Sequence, residues 1–218
     1  MHVIFNGPPG SGKDEACAFL KSNYGYKHLQ MKDELFIDTA EYYGVSLEWF
    51  MNGYDDRTLK EYPRDELGGV SKRQALIHVS ENIMKPKYGK DYYGRKTAEK
   101  MDSVSSYCFS DGGFIEEILP VINTIGQENI CIVQLHRTGC SFSSDSRNYI
   151  HGNLIDDYGL GKFIDKNSLI EQKPDIQIRM YRLHNNTSVS DFHQNIIKIL
   201  RKEANVNPQS PDFFGKSL

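Results

Sequence analysis

No long apolar run interrupts this chain: nothing approaches the ~20 residues that a membrane-spanning helix needs. The opening residues also lack the basic stretch followed by an apolar one that marks a secretory leader. Cysteine is sparse and scattered, at Cys17, Cys108, Cys131 and Cys140, with no C-x-x-C pair and no metal-type spacing to histidine. The expectation is reduced, mostly buried thiols in a cytosolic protein. Repeats and low-complexity segments are missing too. Positive charge is not in excess, for the net charge is −3 and the pI near 6.2, which excludes a whole-surface electrostatic grip on nucleic acid but leaves a local basic groove open. At 218 residues the chain exceeds the usual domain of about 100–150, and one α/β core carrying an inserted lid is the reading preferred over two domains.

What the chain does have is a phosphate-binding loop. Gly7-Pro8-Pro9-Gly10-Ser11-Gly12-Lys13-Asp14 follows directly on the apolar run His2-Val3-Ile4-Phe5. Two glycines five apart and then a lysine let the backbone curl so that successive N–H groups face phosphate oxygens. The following Glu15-Ala16-Cys17-Ala18-Phe19-Leu20 has helix-forming composition, so the loop sits at a helix N-terminus where the dipole favours anions. Gly7, Gly10, Ser11, Gly12, Lys13 and Asp14 are therefore the candidate nucleotide-phosphate residues, with Lys13 reaching the β- and γ-phosphates. Asp14 stands where Ser or Thr is usual; a carboxylate is also a hard oxygen ligand, so it is a candidate for Mg²⁺.

Apolar strands alternate with amphipathic segments, the pattern of a parallel sheet with helices on both faces. Strands are expected at His2–Asn6, Tyr26–Leu29, Tyr107–Ser110, Asn129–Leu135 and Ile176–Tyr181. Helices are expected at Lys13–Tyr24, Lys32–Tyr43, Ser71–Lys85, Asp91–Met101, Ile115–Ile125 and Ser188–Glu203, with Ser71 as an N-cap and Gly44 as a stop. Asn52–Gly69 and Gly139–Pro174 read as loops or small insertions on the carboxyl edge of the sheet, where ligands bind in open α/β folds.

Two further signals carry chemistry. The apolar strand Tyr107-Cys108-Phe109-Ser110 ends in Asp111, which either holds Mg²⁺ beside the phosphate loop or caps the turn before the next helix. Gly112 and Gly113 then admit a close neighbour or simply make the turn. Glu116 or Glu117 serves as a base or as first-turn dipole complement. After the fourth strand come His136-Arg137-Thr138-Gly139 and then Asp145-Ser146-Arg147. Arg137 and Arg147 on a mobile segment would neutralise charge on a transferred phosphoryl group and close over bound nucleotide; loop arginines are otherwise solvated.

The chain resembles the bacteriophage deoxynucleoside monophosphate kinases, a branch of the P-loop nucleoside monophosphate kinase superfamily. The resemblance rests on Gly12-Lys13-Asp14, on Leu59-Lys60-Glu61 with Leu67-Gly68-Gly69-Val70-Ser71-Lys72-Arg73-Gln74-Ala75-Leu76, on Gly89-Lys90-Asp91-Tyr92-Tyr93, on Ser110-Asp111, and on Asn185-Asn186-Thr187-Ser188. It implies one P-loop kinase domain over residues 1–218, with an acceptor-binding insertion at about 32–101 and a lid at about 136–174. The implied cofactors are ATP and Mg²⁺, held by Lys13, Asp14 and Asp111, and the implied partner is a small nucleotide acceptor in a cytoplasm, the host's if the chain is phage-encoded. No membrane partner is expected and a homodimer stays open. The match makes Arg73 the candidate for the acceptor's phosphate, where by itself it reads as a surface partner of an acid.

Departures from the family pattern open alternatives. Gly113 stands where the family has arginine, Glu15 replaces a threonine, and Phe36 falls near a common lysine, for which Lys32 reaches the same space. Tyr92 and Tyr93 stack on a base or belong to the core. Related phage P-loop kinases phosphorylate a hydroxymethyl pyrimidine (5-hydroxymethyluracil) within DNA, an acceptor that the lost arginine and the content of Asn148–Lys166 suit and the acidic net charge does not. A nucleotide-dependent switch ATPase, with water as acceptor, is the reading from a different class.

Overall fold

The computed structural model describes residues 1–143, 147–151 and 178–206. Asp145, Ser146, most of the expected lid and the first residues of the expected last strand lie outside the described residues.

Five strands form one sheet: β1 (His2–Asn6), β2 (Lys27–Leu29), with β3 and β4 set aside as the short hairpin below, β5 (Tyr107–Phe109), β6 (Ile130–His136) and β7 (Arg179–His184). Their order is β2-β5-β1-β6-β7, and every pairing is parallel. β1 thus lies between two strands that come much later in the chain, and the order reverses there. A crevice opens at the carboxyl end of a strand in such a position.

The strands read as near-continuous apolar runs because both faces are covered. On one face Ile4, Phe109 and Ile132 pack against Ile115, Ile118, Val121 and Ile122 of α8 (Ile115–Ile125). On the other, Val3, Phe5, Cys108, Cys131 and Val133 pack against Ala16, Cys17 and Leu20 of α1 (Lys13–Tyr24) and Phe192, Ile196 and Leu200 of α9 (Val189–Val206). Successive strand residues alternate between these two cores, as the period of two demands.

Between β2 and β5 the chain builds a satellite unit around Phe36, Ala40, Phe50, Leu67, Ala75 and Leu76. It comprises α2 (Lys32–Tyr43), α3 (Leu47–Met51), α4 (Arg57–Glu61), the hairpin of β3 (Pro63–Arg64) and β4 (Val70–Ser71), and α5 (Lys72–His78). The 52–69 stretch is therefore not plain loop, since its charge-rich sequence carries a helix turn and a hairpin. Lys72 is 3 % exposed and ties the unit together. Its ammonium donates to the carbonyls of Trp49 at 3.0 Å and Asn52 at 2.6 Å, and lies 4.9 Å from the Trp49 ring centre.

α1, α2 and α8 have the expected bounds, and Gly44 stops α2 with a left-handed φ of 68°. Ser71 caps α5 through a capping box with Gln74. The expected single helix from Ser71 to Lys85 differs: α5 passes into a π-helical segment at Val79–Met84 and then α6 (Lys85–Tyr88). α7 (Tyr92–Ala98) is shorter than expected, and β7 begins later and runs on to His184. α7 and α8 meet backbone to backbone at Gly94, where a Cβ would fall 2.0 Å from the Glu117 carbonyl oxygen. No helix among the described residues is long and apolar enough to cross a membrane.

Candidate phosphate-binding and acceptor site

The loop between β1 and α1 opens into the crevice beside β1. Gly10 and Gly12 hold φ values of 79° and 104°, where a side chain is strained. Gly7 is required for space, because a Cβ there would lie 2.7 Å from both the Leu135 carbonyl oxygen and Ser11 Oγ. No side chain caps the N-terminus of α1, so its first-turn amides stay directed at the loop. Lys13 reaches back over the loop and donates to the carbonyls of Gly7 at 2.7 Å and Pro8 at 2.8 Å. Asn185, just beyond β7, donates to Ser11 O at 2.9 Å, and Arg137, just beyond β6, donates to Gly10 O at 3.0 Å. The ends of β6 and β7 thus brace the loop from one side.

The other side is built from the ends of β2 and β5. Asp111 Oδ2 accepts the Lys32 amide at 2.9 Å, while Oδ1 is buried without a hydrogen-bond partner. Burial raises the Asp111 pKa above the ordinary carboxylate range, with backbone amides and the charges of Lys32 and Arg147 working the other way. Asp33 lies near enough for its own pKa to be raised, first by burial and then by the Asp111 charge. Asp14 is exposed on the first turn of α1; its Oδ1 accepts from Gln30 at 3.2 Å, and the same Gln30 amide donates to Ser110 Oγ at 2.6 Å. His28 completes the group at 2.9 Å from Ser110 Oγ, with a pKa lowered chiefly by burial.

A buried carboxylate oxygen with no donor suits a cation or a water bound to one. Among the described residues no group of three or more His, Cys, Asp or Glu would hold a metal by itself. Mg²⁺ is ordinarily held by one or two carboxylates together with phosphates and waters.

The two candidate arginines part company. Arg137 meets the phosphate loop, whereas the stem of Arg147 crosses Gly113: a Cβ on that glycine would lie 2.3 Å from Arg147 Cδ. Gly112 is crowded in the same manner by Ile4, at 2.3 Å. The expectation that these glycines admit close neighbours is met by named atoms. Residues 148–150, which follow Arg147, are hydrogen-bonded to the sheet edge. Asn6, fully buried, donates to the carbonyls of Gly112 at 3.0 Å and Asn148 at 3.2 Å and accepts the Ile150 amide at 2.9 Å. Gln134 donates to the Ile150 carbonyl at 2.6 Å, and the Tyr149 hydroxyl to Leu135 O at 3.0 Å.

Of the acceptor candidates, Arg73 is half-exposed and pairs with Glu61 at 3.3 Å. Tyr93 is corrected: at 1 % exposure its ring belongs to the core of α7 and α8, so base stacking moves off it. Tyr92 stacks instead on Tyr88, with ring centres 4.9 Å apart. Glu117 is also buried, facing Lys85 at 3.4 Å, and its pKa is pushed up to about 7 by burial against the partial relief from Lys85.

Beside the loop, Arg137 shares a cleft of about 480 Å³ with His136, Asn186 and residues that the sequence did not single out, among them Phe142, Tyr149 and His184. His136 stacks on Tyr149 at 4.2 Å, and Phe142 meets Tyr149 edge-on at 5.0 Å. Flat aromatic walls next to a phosphate loop suit a nucleobase. A usable signal was present, since polar residues stand at or near the carboxyl ends of three apolar strands, Asn6, Ser110 and Gln134, and all three serve this edge.

No family model matches the chain. It is 31% identical over 121 residues to the adenylate kinase of Methanococcoides burtonii, covering 56% of this chain and 53% of that protein. The chain thus spans about half the length of the curated relative it matches. Among solved structures it is similar to a gluconokinase from Sinorhizobium meliloti 1021, with 12% identity, 96% and 97% of the two chains covered and a TM-score of 0.46. It is also similar to the shikimate kinase of Acinetobacter baumannii in complex with shikimate, with 13% identity, 92% and 93% covered and a TM-score of 0.41. At such identities and TM-scores the likeness bears on neither substrate nor mechanism.

Proposed function

We propose that the chain is a P-loop phosphotransferase that moves the terminal phosphoryl group of ATP to a small phosphorylated acceptor, with a deoxynucleoside monophosphate as the favoured class. The observation that carries this reading is the pairing of a lysine-bearing phosphate loop with the partnerless buried oxygen of Asp111 on the adjacent strand. The partial identity to an adenylate kinase supports it.

In this reading the base lies against His136 and Tyr149, and the loop amides with Lys13 hold the β- and γ-phosphates. Arg137, already at Gly10, neutralises charge there. Asp111 and Asp14 are the residues to hold Mg²⁺, which when bound supplies charge neutralisation on the phosphate oxygens. Lys32 positions Asp111 through its amide. Phosphoryl transfer gains its rate from such positioning and charge stabilisation, so little covalent chemistry is required of the protein.

The experiment is a transfer screen with γ-labelled ATP and Mg²⁺ against every nucleoside and deoxynucleoside monophosphate and against duplex DNA containing 5-hydroxymethyluracil. Label on a free monophosphate is expected. Label confined to DNA, with activity falling steeply as salt rises, replaces the acceptor class. Phosphate release without any acceptor replaces the kinase reading by an ATPase.

A further inference from the structure

β2 and β5 run parallel with Leu29 opposite Phe109, so the chain leaves the sheet with Gln30 beside Ser110. The Gln30 amide nitrogen has two hydrogens and two acceptors in reach, Ser110 Oγ at 2.6 Å and Asp14 Oδ1 at 3.2 Å. Ser110 is 3 % exposed and has His28 at 2.9 Å from the same Oγ, so the partner that fixes the amide is itself held. Two residues on, the Lys32 amide donates to Asp111 Oδ2 at 2.9 Å. One short turn, Gln30 to Lys32, therefore touches both candidate Mg²⁺ carboxylates, Asp14 through a side chain and Asp111 through the backbone.

A carboxylate that is to bind a cation has to keep its charge and leave an oxygen free. Among the described residues Asp14 accepts this one hydrogen bond, at Oδ1, and forms no ion pair. A lysine or arginine in place of Gln30 would neutralise the carboxylate and compete with a metal, whereas a neutral amide orients it and leaves the charge in place. Asp14 is exposed on the first turn of α1, where an unheld side chain exchanges between rotamers. A donor fixed on a buried partner removes that freedom. Hydrogen bonds from the protein to a metal's ligands set the affinity of such sites by about 10- to 100-fold.

We propose that Gln30 is a positioning residue of the metal site: anchored on Ser110, its amide fixes Asp14 in one orientation relative to Asp111 for Mg²⁺ binding. The proposal deepens the phosphotransferase reading and rests on it for the presence of a Mg²⁺-bound nucleotide. It adds a residue that the motif spacing of the phosphate loop does not announce. Gln30→Met keeps the length of the side chain and removes the donor, which separates the hydrogen bond from the packing.

The test is calorimetric binding of ADP, with no acceptor, in EDTA and in excess Mg²⁺, for the wild type, Gln30→Met, Asp14→Asn and the double variant. By linkage, the ratio of the two dissociation constants changes between variants by the same factor as the affinity of the protein–ADP complex for Mg²⁺. Gln30→Met should lower that ratio by about 10- to 100-fold and leave binding in EDTA within about twofold of wild type. Asp14→Asn should lower it at least as much, and the double variant no further than Asp14→Asn, because Gln30 acts through Asp14. An unchanged ratio in Gln30→Met, equal weakening with and without Mg²⁺, or a further loss on the Asp14→Asn background overturns the proposal and leaves the phosphotransferase reading standing. A wild type that binds ADP in neither condition overturns that reading and this proposal with it.

Discussion

Replacing Asn6 by alanine is the perturbation with the largest consequence for the site at the smallest change in shape. The side chain is fully buried and makes three hydrogen bonds, two donated to carbonyls of Gly112 and Asn148 and one accepted from the Ile150 amide. A hydrogen bond contributes about 1 kcal/mol net, and each buried group left without a partner costs about 1–3 kcal/mol. Alanine removes all three bonds and leaves the Ile150 amide facing a methyl group, with Ile150 itself 2 % exposed. The expected loss is about 3–5 kcal/mol, a large fraction of the roughly 5–15 kcal/mol that holds an ordinary domain together. In melting temperature this is on the order of 10 °C for a chain of this size. Urea denaturation gives the free energy, and amide exchange reports Ile150 directly, which should pass from strongly protected to fast. Gln134→Ala removes the bond to the carbonyl of the same residue, so the pair should be non-additive. A loss below about 1 kcal/mol, with Ile150 still protected, would refute the view that Asn6 anchors residues 148–150.

Lys13→Ala should lower transfer by about 10²–10⁵ while the melting temperature of the nucleotide-free protein stays nearly unchanged; turnover within tenfold of wild type removes the loop from the mechanism. Asp111→Asn should abolish most transfer yet leave the fold equally or more stable at any pH where the wild-type carboxyl is ionised. The wild-type carboxyl has its folded pKa raised by burial, so stability falls as pH rises from the ordinary carboxylate pKa to the raised one, a slope the amide lacks. Glu117 behaves alike on a scale set by a folded pKa of about 7 against an ordinary 4.5: wild-type stability should fall by about 3 kcal/mol between those pH values from this group. Thermal melts of Glu117→Gln across the same range should lose that decline, and a parallel curve would count against a buried carboxyl there.

The sheet and its loop were legible because their causes are local. His2–Asn6 is an apolar run with a polar end, and Gly44 and Ser71 carry backbone roles that their residue types announce. The satellite unit was not, because its helices are five to twelve residues long and are held by distant partners; Lys72 donating to Trp49 and Asn52 is a contact that no charge pattern encodes. The π-helical segment escaped for a similar reason. It ends at Lys85, whose ammonium sits among Glu81, Glu117 and the Phe114 ring, so its setting is tertiary. Tyr93 misled because an aromatic that stacks on a ligand and one that fills a core share the same letter. The aromatic cleft draws its lining from residues 136–142, from 148–149 and from His184 and Asn186 beyond the middle of β7, and it exists only once the sheet is assembled.

The order of the strands governs how the chain comes into being during synthesis. β1 emerges first, but its register partners are Cys108–Phe109 and Ile130–Gln134, roughly a hundred residues later. At a translation rate of about 5–20 residues per second it must wait on the order of ten seconds, an apolar strand with both edges open. Meanwhile the satellite unit, whose contacts are short in sequence, has time to form. The phosphate loop cannot share that head start, because Gly7 takes its position against Leu135, on a strand not yet made. In a nascent chain the loop therefore takes its final shape late, when β6 docks, and until then β1 keeps both apolar edges exposed.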